Sequence, residues 1–223
     1  MNYLTERREE EKERRRETIL DAAEHVFALK GFDAATMDQV ARKARVSRAL
    51  VYVYFKDKTA LQLGVCIRGL KILRQAFESA RQAHATGYEQ VKAIGRAYMQ
   101  FSEDRPTHFA AMSRFEATPA DFACAQEDGM TQDMMLAGQQ VHEQTVLAIL
   151  KGMADKTLRG DIDDPMRVSI TLWAFSHGTI QLAQTKGPFI EGMGISKANF
   201  MEEALNLAMH SLINRNTGVS HES

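Results

Sequence analysis

Cysteine is nearly missing: Cys66 and Cys124 are the only two in 223 residues, they stand far apart, and no CxxC pair occurs. That excludes a disulfide framework and a cysteine-rich zinc site, and it fits a reducing cytoplasm. Long oily runs are missing too. No stretch approaches the roughly 18 to 20 uninterrupted apolar residues of a membrane span, and the first 17 residues are charged where a secretory signal is apolar. The expectation is a cytoplasmic protein with no membrane partner. GxSxG, a P-loop, a glycine-rich phosphate cradle after a strand and HExxH are all missing, so no enzyme activity, cofactor or metal is expected. His108, His142 and His177 lack the i, i+4 pairing of helical metal ligands and read as polar pocket groups or satisfied core histidines.

What is present is helical periodicity. Apolar residues recur at three- and four-residue spacing along almost the whole chain, and strict alternation is hard to find, which predicts an all-α protein. At 223 residues it divides into one or two domains. The formal net charge of -1 hides an asymmetry: residues 1–73 hold 15 Lys/Arg against 11 Asp/Glu, and the remaining 150 hold 13 against 18. Within the cationic third, residues 36–58 carry Arg42, Lys43, Arg45, Arg48, Lys56 and Lys58 against only Asp38 and Asp57. Such a cluster can attract a phosphate backbone, although most basic clusters are solvated faces.

Residues 1–17 contain six acids and six bases with almost no apolar side chains, and predict a frayed tail or the solvated start of a helix. Arg14, Arg15 and Arg16 are placed to reach a phosphate or a minor groove. A helix follows over about 18–30, with Ile19, Ala23, Val26 and Phe27 on one face and Gly31 as a left-handed end. Thr36 predicts the N-cap of a short helix carrying Val40, Ala41 and Ala44 inward, and Ser47 that of a third with Val51 and Phe55 inside. Three short helices with so tight a second connection form one compact unit. The outer side of the third presents Arg48, Ala49, Tyr52 and Val53. Arg48 can pair with a guanine or a phosphate, Ala49 and Val53 can touch a thymine methyl, and Tyr52 and Tyr54 can bond phosphates.

The stretch 36–61, TMDQVARKARVSRALVYVYFKDKTAL, resembles the N-terminal domain of TetR-family transcriptional regulators. The resemblance covers about residues 14–73 and includes the preceding ILDAAEHVFALKGF helix. It implies a charged arm over 1–13, a helix-turn-helix domain over 14–73 with its motif at about 36–55, and a helical effector-binding and dimerisation domain over 74–223. It implies that Thr36, Ser47, Tyr52, Tyr54 and Lys58 position the DNA backbone, while Arg48, Ala49, Leu50 and Val53 stand nearest the bases. Arg45 departs from the pattern. It occupies a turn position where the family usually has Gly, where a left-handed backbone costs a non-Gly residue about 1 kcal/mol or more, and where its charge suits a phosphate neighbour.

The remaining 150 residues hold most of the 12 Met and several aromatics, which line either a plain core or a pliable pocket. Given the resemblance, Tyr98, Met99, Met112, Phe115, Met134, Met135, Trp173 and His177 are the candidate contacts to a small apolar or amphipathic effector. Helices are expected over about 58–85, 88–103, 106–118, 130–153, 164–185 and 197–215, with an irregular loop at about 119–129. Gly187-Pro188 is expected to stop the penultimate helix, and Asn199 with Glu202 to box the start of the last. Val168, Leu172, Phe175, Thr179 and Leu182 at 4, 3, 4, 3 spacing, with Phe200, Ala204, Leu205, Ala208 and Leu212, predict a homodimer seam. The functional expectation is a homodimeric, operator-binding regulator, a repressor released by its effector through the helix from Lys58. The alternative is a small-molecule sensor with no DNA role.

Overall fold

The computed structural model describes residues 3–117 and 129–214. These fold into helices α1 (Tyr3–Ala34), α2 (Met37–Ala44), α3 (Arg48–Tyr54), α4 (Lys58–Gln82), α5 (Gly87–Asp104), α6 (Pro106–Ala117), α7 (Met130–Ala154), α8 (Pro165–Thr185), α9 (Gly187–Gly192) and α10 (Lys197–His210). Among the described residues extended backbone pairs only in one antiparallel bridge, Leu158 with Ile213. The chain is all-α, as its periodicity requires.

Of the two outcomes expected for the charged arm, the structure shows the solvated start of a helix: it is helical from Tyr3, and its closely spaced charges satisfy one another at i+3 and i+4, with Glu11 binding both Arg14 and Arg15 at 2.8 Å and Lys12 lying 3.8 Å from Glu9. Gly31 breaks the helix with a positive φ, as expected, at φ 74° and ψ 165°, and one more turn follows beyond the kink to Ala34. Two other local expectations are corrected. Gly187-Pro188 opens α9 as well as closing α8, since Pro is at home in a first helical turn. The cap of α10 is Ser196, whose hydroxyl accepts from the Asn199 N–H at 3.2 Å, and not Asn199. Asp164 caps α8 as expected, accepting from Arg167 N. The loop expected at about 119–129 lies almost wholly outside the described residues, as does Cys124; Cys66 is buried on α4.

The described residues fall into two compact units, one drawn from stretches 1–70 and 105–137, the other from 71–104 and 138–223. The first closes over Ile19, Leu20, Ala23, Phe27, Val40, Val51, Phe55 and Leu61, with Phe109 added from α6. Its polar interior centres on Arg68 of α4, whose guanidinium binds Asp21 at 2.7 Å, Glu24 at 2.6 Å and Glu17, all on α1. From α6, His108 Nε2 approaches Glu24 at 3.1 Å, off the line of a good hydrogen bond, and Arg114 binds Asp33 at 2.8 Å. Burial raises the pKa of Glu24, but His108 and Arg68 outweigh it and hold the carboxyl below its ordinary value. His108 seats over Gly69, where any Cβ would lie 2.9 Å from the His108 Cβ.

In the second unit α10 packs on α8 and α5 through Leu205, Met209, Val91, Ile94 and Ile180. The start of α5 meets the end of α7 backbone to backbone: a Cβ on Gly87 would stand 2.0 Å from Gly152 N. Asp155 seals this corner, accepting from Gly87 N at 2.8 Å and from the Thr157 hydroxyl at 2.6 Å. Among the described residues no helix is long and apolar enough to cross a membrane.

Candidate nucleic-acid interface

The interface is built from its caps upward. The Thr36 hydroxyl accepts from Gln39 N at 3.3 Å while the Gln39 side chain accepts from Thr36 N at 3.1 Å, a reciprocal box that fixes the start of α2. At its end Arg45 takes the left-handed conformation, φ 57° and ψ 40°, and the N–H groups of Arg45 and Val46 turn back to the carbonyls of Ala41 and Arg42. Ser47 then caps α3 by accepting from Leu50 N at 3.1 Å. Two capped helices joined by three residues leave α3 little freedom of direction. Val51 and Phe55 anchor it, both essentially fully buried.

With Val51 and Phe55 inside, the helical repeat of 100° per residue turns Arg48, Ala49, Tyr52 and Val53 outward. All four are exposed, Val53 at 76%. Leu50 and Tyr54 are half-buried on the flanks. Arg48 is already oriented: its guanidinium straddles the Asp38 carboxylate, with Nε 3.1 Å and Nη1 3.3 Å from its two oxygens, donates to the Tyr52 hydroxyl at 3.3 Å and lies over the Tyr52 ring. The sequence marks Asp38 only as an acid among bases; the structure makes it the acceptor of the Arg48 fork. Arg42, Lys43 and Lys56 extend the exposed basic border. Lys58 is placed differently from the other candidates. It donates to the carbonyls of Phe32 at 3.0 Å and Asp33 at 2.9 Å, clamping the end of α1 to the start of α4.

The candidate effector contacts come from both units. Tyr98, Met99, Trp173 and His177 belong to the second unit, and Met112, Phe115, Met134 and Met135 to the first. Met135 is 68% exposed, because it is 100° around α7 from buried Met134, so it lines no interior. In the second unit the Tyr98 hydroxyl and His177 Nδ1 are 2.6 Å apart and buried, with Phe77 edge-on to the Tyr98 ring at 6.0 Å. Trp173 lies between two imidazoles, 5.7 Å from His142 and 5.8 Å from His177. His142 bonds the Ser169 hydroxyl at 3.0 Å, and burial pushes its pKa down. The seam candidates are also divided. Thr179, Ala204, Leu205 and Leu212 are buried by the chain's own packing, which removes them from any exposed surface, whereas Phe175 and Leu182 remain 44% and 45% exposed and Val168, Leu172, Phe200 and Ala208 are half-buried. The exposed face of α8 runs through Ile170, Ala174, Phe175, Gly178, Gln181, Leu182 and Thr185.

A capped pair of short helices, braced by a longer one and presenting an outward basic and apolar face, is a helix-turn-helix of the kind that enters a major groove. Residues 19–65 match the family model for bacterial regulatory proteins of the tetR family, and residues 91–207 match the tetracyclin repressor-like C-terminal domain. The second match alone spans more than half of the chain, so this protein belongs to the TetR family of bacterial regulatory proteins. Among curated relatives it is 36% identical over 101 residues to the HTH-type transcriptional regulator BetI of Rhizobium meliloti, covering 45% of this chain and 50% of BetI. It is 32% identical over 92 residues to the HTH-type transcriptional activator FasR of Mycolicibacterium smegmatis, covering 41% and 42%. These matches span about half the length of the relatives or less. A solved structure of a protein of unknown function from Rhodococcus sp. RHA1 superposes with TM-score 0.71 over 89% of this chain and 95% of its own, and at 22% identity it supports the fold alone.

Proposed function

We propose that the protein is a homodimeric repressor that binds operator DNA through α3 and is released by a small amphipathic molecule bound in the second unit. The carrying observation is the outward face of α3, where Arg48, Ala49, Tyr52 and Val53 stand together on a helix held at both ends. Arg48 leaves Asp38 for a guanine edge or phosphate, Ala49 and Val53 meet thymine methyls, and Tyr52 and Thr36 bond phosphates. One seven-residue helix makes few base contacts, so specificity needs two, and the exposed face of α8 supports the pairing: Phe175 and Leu182 supply apolar area while Ala174 and Gly178 allow close approach. The tetracyclin repressor-like domain supports the repressor sense.

For the effector, the Tyr98–His177 pair offers a polar end and Phe77, Met99 and Trp173 an apolar body. Release requires the effector to prefer the conformation in which the two copies of α3 are wrongly spaced, and a switch from 1:99 to 99:1 needs a preference of about 10⁴. The helix from Lys58 is continuous over 25 residues and is the proposed lever. Selection of bound duplexes by the purified protein, followed by titration of the selected site, tests the reading. Arg48→Ala is expected to weaken binding by about 1–3 kcal/mol per half-site with Tm unchanged, since the Asp38 pair is exposed. Absence of any duplex affinity at low salt, or wild-type affinity in Arg48→Ala, refutes it. Trp173, the sole tryptophan, reports effector binding by its fluorescence, and transcription in vitro from a promoter carrying the site gives the sign of regulation.

A further inference from the structure

Residues 36–58 contain two acids, Asp38 and Asp57. Asp57 serves the fold: it caps α4, accepting from Ala60 N at 2.7 Å. Asp38 has no such task, because the start of α2 is already boxed by Thr36 and Gln39. It stands in the first turn of α2, where an acid suits the helix dipole, but that preference sets its charge and not its direction. The direction is toward α3. Both carboxylate oxygens meet Arg48, Oδ1 at 3.1 Å from Nε and Oδ2 at 3.3 Å from Nη1, and both side chains are more than half exposed. Arg48 opens α3, and the N-terminal end of a recognition helix is the part that meets base edges. A carboxylate therefore lies on the face offered to a polyanion.

Free of DNA, Arg48 neutralises that carboxylate. Once Arg48 turns to a guanine edge or a phosphate, Asp38 keeps its charge and loses its cation, and a bare acceptor at an interface is unfavourable unless another donor replaces the guanidinium. In the major groove two groups of the bases donate, the N4 amino group of cytosine and the N6 amino group of adenine. Guanine and thymine present O6, N7 and O4, acceptors that a carboxylate repels. Asp38 and Arg48 are rooted side by side, so what Asp38 meets lies on the base pair that Arg48 faces or on the next, about 3.4 Å away. We propose that Asp38 is a specificity-determining residue that reads an amino base there, cytosine before adenine, and rejects guanine and thymine. The inference rests on the DNA-binding reading above. Cytosine comes first because its amino group is its one polar group in the major groove, whereas adenine sets the acceptor N7 beside N6. Arg48 only donates and Asp38 only accepts, so together they form a two-sided reader.

The test uses the full-length protein. Selection of bound duplexes is run with wild type, Asp38→Ala and Asp38→Asn, and both variants should melt within about 2 °C of wild type, since the ion pair is exposed. One position of the half-site is expected to prefer cytosine with wild type and to lose that preference with Asp38→Ala. With Asp38→Asn it should turn to adenine, because Asn can bond N6 and N7 together. At that position cytosine is then replaced by 2-pyrimidinone, which lacks the amino group, and affinity is followed by fluorescence anisotropy. The replacement should weaken wild type more than Asp38→Ala by about fivefold or more per half-site, the lower end of the cost of a mismatched pair. An equal penalty in the two proteins overturns the inference while leaving the DNA reading intact, since Asp38 would then only brace Arg48. So does an Asp38→Ala variant whose affinity rises by one factor for every sequence, which would make Asp38 a plain repelling charge. A wild-type protein that binds no duplex instead refutes the reading on which the inference stands.

Discussion

Arg45→Gly is expected to stabilise the protein and weaken its hold on DNA at once. A non-glycine residue in the left-handed region costs about 1–2 kcal/mol, and Arg45 is there at φ 57°. Glycine removes that strain but brings about 0.5–1 kcal/mol of extra chain entropy in the unfolded state, so the net gain is about 0.5–1 kcal/mol. In a chain of this size that raises Tm by about 1–4 °C, measured by circular dichroism or calorimetry. The DNA effect has the other sign. If each Arg45 of a dimer neutralises one phosphate, removing both lowers the salt slope by about 1.8 and the affinity at physiological salt by about tenfold or more. Arg45→Lys retains charge and strain together, and should leave both quantities near wild type. A lower Tm in Arg45→Gly would refute the strain argument; an unchanged salt slope would refute the phosphate placement.

Gly87→Ala should cost about 3 kcal/mol or more and lower Tm by about 6–12 °C, because its Cβ would strike the Gly152 backbone and no side chain can move aside; Gly138→Ala, with open space, should raise Tm slightly, and equal effects would undo the packing argument. His142 has its pKa lowered by burial from an ordinary 6.5, so below that pH the unfolded chain takes up a proton the native state resists. Stability should be level above about pH 7 and fall as pH drops through 6.5, and denaturant titrations of His142→Gln should lack that part of the slope. Phe175→Glu with Leu182→Glu should give a monomer by analytical ultracentrifugation with helicity intact and operator affinity lost; a dimer in that variant would move the seam elsewhere.

Periodicity and capping chemistry made much of this molecule legible in advance. Thr36, Ser47 and Asp164 announce helix starts because a short oxygen side chain before an apolar run has one favourable use. The outward face of α3 followed from Val51 and Phe55 by geometry alone. What could not be read were relations between distant positions. The Asp38–Arg48 fork is formed across a turn, and the carboxylates around Arg68 come from more than forty residues earlier in the chain. An amphipathic stripe names a buried face without naming what covers it, which is why Leu205 and Leu212 read as seam positions in the sequence and are buried by the chain's own packing in the structure. The arm's composition left a frayed tail and a solvated helix start both open, and closely spaced opposite charges decide for the helix.

Residues 105–117 join the first unit although 34 residues of the second come before them. A fragment cut after the helix-turn-helix would lose His108 from its seat on Gly69 and strand Glu24 and Asp33 without their α6 counterparts. Chimeras that graft this headpiece onto another regulator must therefore carry α6 along, and a crossover placed where the family models change over would splice through the middle of a folding unit.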